Sequence, residues 1–475
     1  MKFKRAVASL FAGAIATICA ATGVEAQHQD HTTQTQNTSN ITAAAGQATL
    51  NLEDLERMAL ANNPTLAQAE AAIRAAEGRR KQAGLWPNPV VGYEGDGIAV
   101  NDLVRDFRIG HYLWVEQSIV GFGKLGKSKR IAEQEKVQSI SEAEAQRLRV
   151  LNAVRMLYYE VLGAQTMVDL RKRLLNLTRE AVGISEELFN VGQADHPDVL
   201  STEVESQRAE IDLMRAENDL ARVWRVMAAV VNNPQLNAFP KPARLAGSIE
   251  AEAPELDQDD LLAALMRESP EIKAAMAGVA RAKAVVARAK AEPRPDMFVR
   301  AWVGHSNDFA EFFGGVTGWE TRVEAGVRIP IFNRNQGNVA AAKAELTSAE
   351  NELQRVELAL RARLADAFNN YVNSLGVAAR YHREILPRAQ KAYEMYLSKF
   401  RQMAAAYPQA LIAQRTLFQA QTEYVTALVD VWQNVVRLRG MLLMGGLDAP
   451  SSAPGAVLEN TGRAVSSPLL FPNDQ

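Results

Sequence analysis

Hydrophobic and polar positions follow two different periods along this chain, and each predicts a different kind of element. From Glu320 to Ile331, Thr321, Val323, Ala325, Val327, Ile329 and Ile331 alternate with Glu320, Arg322, Glu324, Gly326, Arg328 and Pro330. A period of two puts one apolar and one charged face on a β-strand. Sustained over about ten residues, it is the pattern of a strand in a transmembrane barrel, with lipid on one side and a lumen on the other. A soluble sheet edge also alternates in this way. The partner strand is predicted over about Asp296 to Ser306, with Phe309, Phe312, Phe313 and Trp319 as interfacial aromatics in and beside the intervening turn. Two further strands are predicted at about Val90 to Asp96 and Ile109 to Val120, a region that includes Tyr93, Tyr112 and Trp114.

The second period is helical. Leu346, Leu353, Val356, Leu360, Leu364, Phe368, Tyr371 and Leu375 recur mostly in steps of three and four, as do Leu417, Gln421, Tyr424, Leu428, Val431, Val435, Leu438 and Leu442. Such seams predict helices packed as coiled coils. The 65 residues from Lys127 to Val191 contain no proline, so a helix there would extend nearly 100 Å at about 1.5 Å per residue. Pro387 predicts a local kink, which Asn176 at the matching place in the first half does not.

The two patterns occur twice. Asn63-Pro64 matches Ser269-Pro270, and Pro87 and Pro89 match Pro293 and Pro295, at an offset of 206. Phe189, Pro197 and Leu200 match Phe400, Pro408 and Leu411 at 211, which implies about five inserted residues. Each copy is predicted to contain a helix (about Leu52 to Ala83, then Asp259 to Ala291), two strands, a very long helix, a break and a returning helix. The expected organisation is an export segment at 1–26, a flexible lead-in at 27–48, a first repeat at 49–245, a second at 246–446 and a tail at 447–475. Four strands cannot close a membrane barrel, since the smallest have about eight, so this reading requires several copies; three would supply 12 strands.

Composition narrows the function. Lys and Arg number 53 against 55 Asp and Glu, a net charge of −2, which offers no basic face for nucleic acid. The single cysteine, Cys19, excludes an intramolecular disulfide framework and a cysteine-rich zinc site. It lies in an apolar stretch, Ala6 to Ala21, preceded by Lys2, Lys4 and Arg5 and followed by Val24-Glu25-Ala26, which is the layout of a cleaved signal peptide. Ala16-Thr17-Ile18 lacks the small residue that normally precedes a lipidated cysteine. No later segment has the roughly 18 apolar residues of a spanning helix.

Tyr407-Pro408-Gln409-Ala410-Leu411-Ile412-Ala413-Gln414-Arg415-Thr416-Leu417-Phe418, its counterpart Gly192 to Leu200, and Ile329-Pro330-Ile331-Phe332 resemble the TolC-type outer-membrane efflux family over nearly the whole mature sequence. Both hairpin segments look most like its CzcC/CusC heavy-metal cation branch. The resemblance implies a membrane α+β fold: a homotrimer with a 12-stranded barrel in outer-membrane lipid, four strands per protomer, continued by an α-helical periplasmic tunnel. It also implies docking through a periplasmic adaptor protein onto an inner-membrane pump of the RND type, with the chain as a passive channel. A conduit for type I protein secretion or drug efflux would share this fold. A periplasmic adaptor or coiled-coil scaffold would show one hairpin flanked by soluble β-modules instead of two hairpins each preceded by two strands.

No enzyme constellation, cofactor site or metal site is expected. Gly121-Phe122-Gly123-Lys124-Leu125-Gly126-Lys127-Ser128 fits the phosphate-loop pattern, yet no parallel sheet or magnesium-holding carboxylate is evident around it, and a sharp strand exit explains its glycines. His111, His196, His305 and His382 are scattered, and His28 and His31 lie in the lead-in. At the first hairpin break, Asp195 and Asp198 are candidate pore-gate carboxylates, because threefold symmetry would turn each into a ring; the competing role for Asp198 is to cap the return helix. Asn190, Val191, Gly192, Gln193, Arg401, Gln402 and Met403 are candidate adaptor contacts at the hairpin tips. Amino-terminal sequencing of the exported protein is expected to begin at Gln27; an intact leader would refute cleavage after Ala26.

Overall fold

A computed structural model describes residues 50–96, 110–237, 244–306, 318–401 and 407–449. The export segment, the lead-in, Phe309, Phe312, Phe313, Gln402, Met403 and the tail beyond 449 lie outside the described residues.

The first half runs α1 (Leu52–Asn62), α2 (Pro64–Gln82), β1 (Val90–Asp96), β2 (Gly110–Ile119), α3 (Lys124–Asn190) and α4 (His196–Val231). The second runs α5 (Gln258–Glu268), α6 (Pro270–Ala291), β3 (Met297–Ser306), β4 (Gly318–Val327), α7 (Gln336–Arg380), a π-helical turn (Tyr381–Ile385), α8 (Leu386–Arg401) and α9 (Tyr407–Arg439). The helix expected over Leu52 to Ala83 is in fact two, as is the one expected over Asp259 to Ala291. Proline disfavours helical geometry in the residue before it, and Asn63 (ψ 122°) and Ser269 (ψ 124°) are extended. Pro64 and Pro270 then open the next helix, where no backbone donor is missed. Asn63 secures its break: its side-chain oxygen accepts from the Thr65 amide at 2.9 Å, and its Nδ2 donates to the Val230 carbonyl at 2.9 Å.

All strand pairs are antiparallel in the order β1-β2-β3-β4, so β1 and β4 are edges. The alternation read to Ile331 outlasts the strand: β4 ends at Val327 because its partner β3 begins opposite, at Met297. The kink expected from Pro387 takes the form of the π turn just before it. Proline cannot donate to the carbonyl four residues back and its ring crowds that carbonyl, so the helix widens by one turn. Asn176 lies inside α3, which runs 67 residues, about 100 Å at about 1.5 Å per residue.

Two apolar clusters hold the helices together. One joins Leu55 and Ala59 of α1, Val150, Val154, Val161 and Leu162 of α3, and Val223, Trp224, Met227 and Val231 of α4. The other joins Leu265 of α5, Ile272 of α6, Leu360, Leu364 and Tyr371 of α7, and Val431, Val435 and Leu438 of α9. Each fully buried aliphatic side chain contributes about 1.5–3 kcal/mol. Leu428 and Trp432 pack against both clusters, and Trp432 stacks on Tyr159 with ring centroids 4.5 Å apart. The segment between the halves is fastened by side chains from three helices: Tyr158 donates to the Ala246 carbonyl, Tyr371 to Pro254 at 2.7 Å and Trp432 to Ile249 at 3.0 Å. Burial pushes both phenols above their ordinary pKa. On α2, hydrogen bonds from Arg80 and Lys136 hold the Glu77 carboxyl down at about 2 and tie the helix to α3.

The chain leaves α9 through a strained turn in which Met441 (φ 55°) and Leu442 (φ 61°) are left-handed. Buried Asn152 of α3 holds it, its Nδ2 lying 2.8 Å from the carbonyl oxygens of both Gly440 and Leu443. A Cβ at Gly440 would fall 2.1 Å from that amide nitrogen. Asn152→Ala is expected to cost about 1–3 kcal/mol by leaving buried carbonyls unpaired, and Gly440→Ala to be destabilising through the clash. Thermal melts of detergent-solubilised protein followed by far-UV circular dichroism check this; unchanged midpoints would refute it.

Candidate functional site

The four strands sort their side chains onto two faces, with Gln117 the polar exception on the apolar one, its amide bonded to the Pro87 and Ser118 carbonyls. On one face, the register brings Val91, Leu113, Val115, Val303, Ala301, Val299, Thr321, Val323 and Ala325 together, with Val323 70% exposed. At the end of this face away from the helices stand Tyr93, His111, His305 and Trp319; Tyr93 stacks on His111 at 6.0 Å, and Trp319 meets His305 edge-on at 6.1 Å. Amphipathic rings gather in such girdles at membrane interfaces. Sequence placed Trp319 there. Tyr112 and Trp114 belong to the opposite face, since their register partners are Glu94 and Gly92.

That opposite face is charged and internally bonded. Two rows cross it: Glu94, Tyr112, Gly304 and Glu320, then Gly92, Trp114, Trp302 and Arg322. A third brings Glu116, Arg300 and Glu324 together. Tyr112 donates to Glu320 at 2.5 Å, the Trp302 indole to Glu94 at 2.8 Å, and Arg300 Nε to Glu116 at 2.7 Å. The Arg300 guanidinium also lies 4.9 Å from the Trp114 ring centroid and 5.3 Å from that of Trp302, within cation–π range.

The sheet passes into the helices through the glycine-rich segment. Phe122 (φ 55°) and Gly123 (φ 66°) turn the chain sharply, and α3 starts at Lys124. The Gly121 amide donates to Asp296 Oδ1 at 3.0 Å, and buried Lys124 Nζ to Asp296 Oδ2 at 2.9 Å. The loop thus spends its donors on a carboxylate at the start of β3 and locks one half to the other. The Lys127 ammonium lies against the Phe122 carbonyl at 3.2 Å.

At the first hairpin tip Asn190 ends α3, Val191, Gly192, Gln193 and Asp195 lie in the short connection to α4, and Asp198 lies in the first turn of α4. Gln193 N–H donates to the Leu188 carbonyl at 2.8 Å and Gly192 N–H to Phe189 at 2.9 Å, a main-chain closure that needs the left-handed φ of 73° at Gly192. Val191, Gly192, Gln193 and Asp195 are exposed. The capping role considered for Asp198 is corrected. Asp195 occupies the position before α4, without a side-chain capping bond, and Asp198 lies inside the first turn, where its charge favours the helix dipole. Arg401 ends α8; its tip neighbours Gln402 and Met403 lie outside the described residues.

Sequence reasoning missed a link behind this tip. Arg415 of α9 pairs with Glu205 of α4, Nε lying 3.1 Å from Oε2, beside a groove of about 380 Å³ that Arg171, Asp212 and buried Gln414 also line. The two residues are 210 apart, one short of the 211 offset, so they are not equivalent positions (Glu205 matches Thr416), and no sequence signal singles out the pair. Among the described residues no three His, Cys, Asp or Glu side chains converge as a metal site, and no helix is long and apolar enough to cross a membrane.

The outer membrane efflux protein family matches residues 55–233 and 261–442, one span in each half. The cobalt-zinc-cadmium resistance protein CzcC of Cupriavidus metallidurans is 26% identical over 387 residues, 81% of this chain and 88% of that one. Among solved structures, CusC superposes with a TM-score of 0.69 at 17% identity, covering 83% of this chain and 92% of its own. VceC of Vibrio cholerae gives 0.67 at 17%, covering 84% and 97%. The α+β channel fold expected from the sequence, with tandem repeats that each add two strands to one sheet and a long helical hairpin, is the fold these proteins share. With both halves matched, the chain belongs to the outer membrane efflux protein family.

Proposed function

We propose that three copies of this chain form the outer-membrane channel of a tripartite efflux machine. The single observation that carries this is the four-stranded sheet. One face is apolar with aromatics at one end, the other charged, and among the described residues β1 and β4 each have a strand partner on one side only. In hydrocarbon each unpaired backbone group costs several kcal/mol, so β1 and β4 must meet strands of other copies. Three sheets of four give a 12-stranded barrel, its apolar face on lipid and its charged face on the lumen, and the helices extend it into the periplasm.

The channel supplies no energy. An inner-membrane pump of the RND type drives transport and a periplasmic adaptor joins it to the hairpin tips, where exposed Asn190, Val191, Gly192 and Gln193, with Arg401, Gln402 and Met403, form the contact. Heavy-metal cations are the proposed cargo, supported by the likeness to CzcC over 81% of the chain. Asp195 and Asp198 would stand as carboxylate rings at the narrow end and favour cations there.

A deletion strain is expected to lose tolerance to cobalt, zinc and cadmium ions. Wild-type protein should restore it, and a variant with charge reversals at Asp195 and Asp198 should restore it at least severalfold less. Alanine at Asn190 and Gln193 should weaken crosslinking to the adaptor. Normal metal tolerance with lost drug tolerance would reassign the cargo, and a monomer soluble without detergent would overturn the channel.

A further inference from the structure

We propose that Glu94 and Glu320 make the barrel interior itself cation-selective, separately from the hairpin tips. The inference rests on the reading above, that the charged face lines a closed lumen. Four carboxylates among the described side chains of this face, Glu94, Glu116, Glu320 and Glu324, stand against two guanidiniums, Arg300 and Arg322. Among these described strand side chains the excess is two carboxylates per chain, or six around a three-copy barrel.

How each charge is held decides what an ion in the lumen meets. Arg300 is committed to the wall, ion-paired with Glu116 and faced by Trp114 and Trp302, so that pair cancels. Arg322 lies 5.8 Å from the Tyr112 ring centroid and comes no closer to Glu320 than 3.9 Å. Glu94 and Glu320 are held by neutral donors, the Trp302 indole at 2.8 Å and the Tyr112 hydroxyl at 2.5 Å. A neutral donor fixes a carboxylate without cancelling its charge.

The donors are themselves immobilised. The Tyr112 and Trp302 side chains are both buried; a Cβ on Gly304 would stand 2.3 Å from the Tyr112 ring, which therefore lies on bare backbone, and the neighbouring Trp114 ring covers Gly92 in the same way, 2.4 Å from where a Cβ would be. Flat rings leave the bore open and keep the carboxylates at its wall. Fixed carboxylates around a low-dielectric bore focus the field and concentrate small hydrated cations, divalent metal ions included.

Single-channel recordings of the full chain in planar bilayers across a potassium chloride gradient test this. The starting protein carries Asp195→Asn and Asp198→Asn, so that the tips cannot mask the barrel. It is expected to keep a cation-over-anion permeability ratio severalfold above one. Adding Glu94→Gln and Glu320→Gln, which balances the face, should bring the ratio to near one. Tyr112→Phe alone should lower it partway, because a released Glu320 closes on Arg322. Heat-modifiable migration verifies assembly of each variant. An unchanged ratio in the glutamine variant overturns the proposal; if that variant does not assemble, an unchanged ratio in Tyr112→Phe does so. Failure of wild-type protein to form any channel would instead refute the conduit reading itself.

Discussion

Unpaired backbone at the two edges of the sheet is the constraint on which the rest of the molecule depends. A bilayer offers no water to satisfy β1 and β4, so four strands per chain have no stable life alone in lipid, and closure with other copies follows. Closure also explains the two faces. A strand inside such a wall touches lipid with every second residue and the lumen with the others, which is the alternation of Thr321 to Val327 against Glu320 to Gly326.

The helices face the opposite problem. They satisfy their own backbone but bury only a stripe each, and α3 is far longer than any globular core. Packing is concentrated where the halves meet, around Leu428, Trp432 and the tyrosines that fasten the connecting segment. The Lys124–Asp296 pair performs a similar service where sheet turns to helix. The Lys124–Asp296 pair, the Tyr158–Ala246 bond and the Tyr159–Trp432 stack join one repeat to the other, so the duplication is consolidated as one body.

Much of this was legible in the sequence because the signals are periodic. Alternation located β4 and the order of elements in the two copies placed the other three strands, three- and four-residue steps located the seams, and the offsets of 206 and 211 gave the repeat. What escaped was set by partners distant in sequence. The end of β4 depends on where β3 begins, and the face of Trp114 on its register with Gly92. Helix breaks at Asn63 and Ser269 were signalled by the following prolines, which the sequence reading used only to match the two copies. At the tip, which of Asp195 and Asp198 precedes the helix depends on where the Gly192 turn ends. The Arg415–Glu205 link escaped because charged residues are abundant on these helices and only three-dimensional structure selects the pair.

The turn at the first tip is closed by main-chain bonds and by the backbone freedom of Gly192, so its other exposed side chains contribute little to folding. Residues that do not support the fold are open to substitution, whereas the core behind them is not. A duplicated gene of this kind would therefore diverge fastest at this tip, the contact proposed for the adaptor, and a handful of changes there would suffice to enlist it in a new machine while the scaffold stayed as it was.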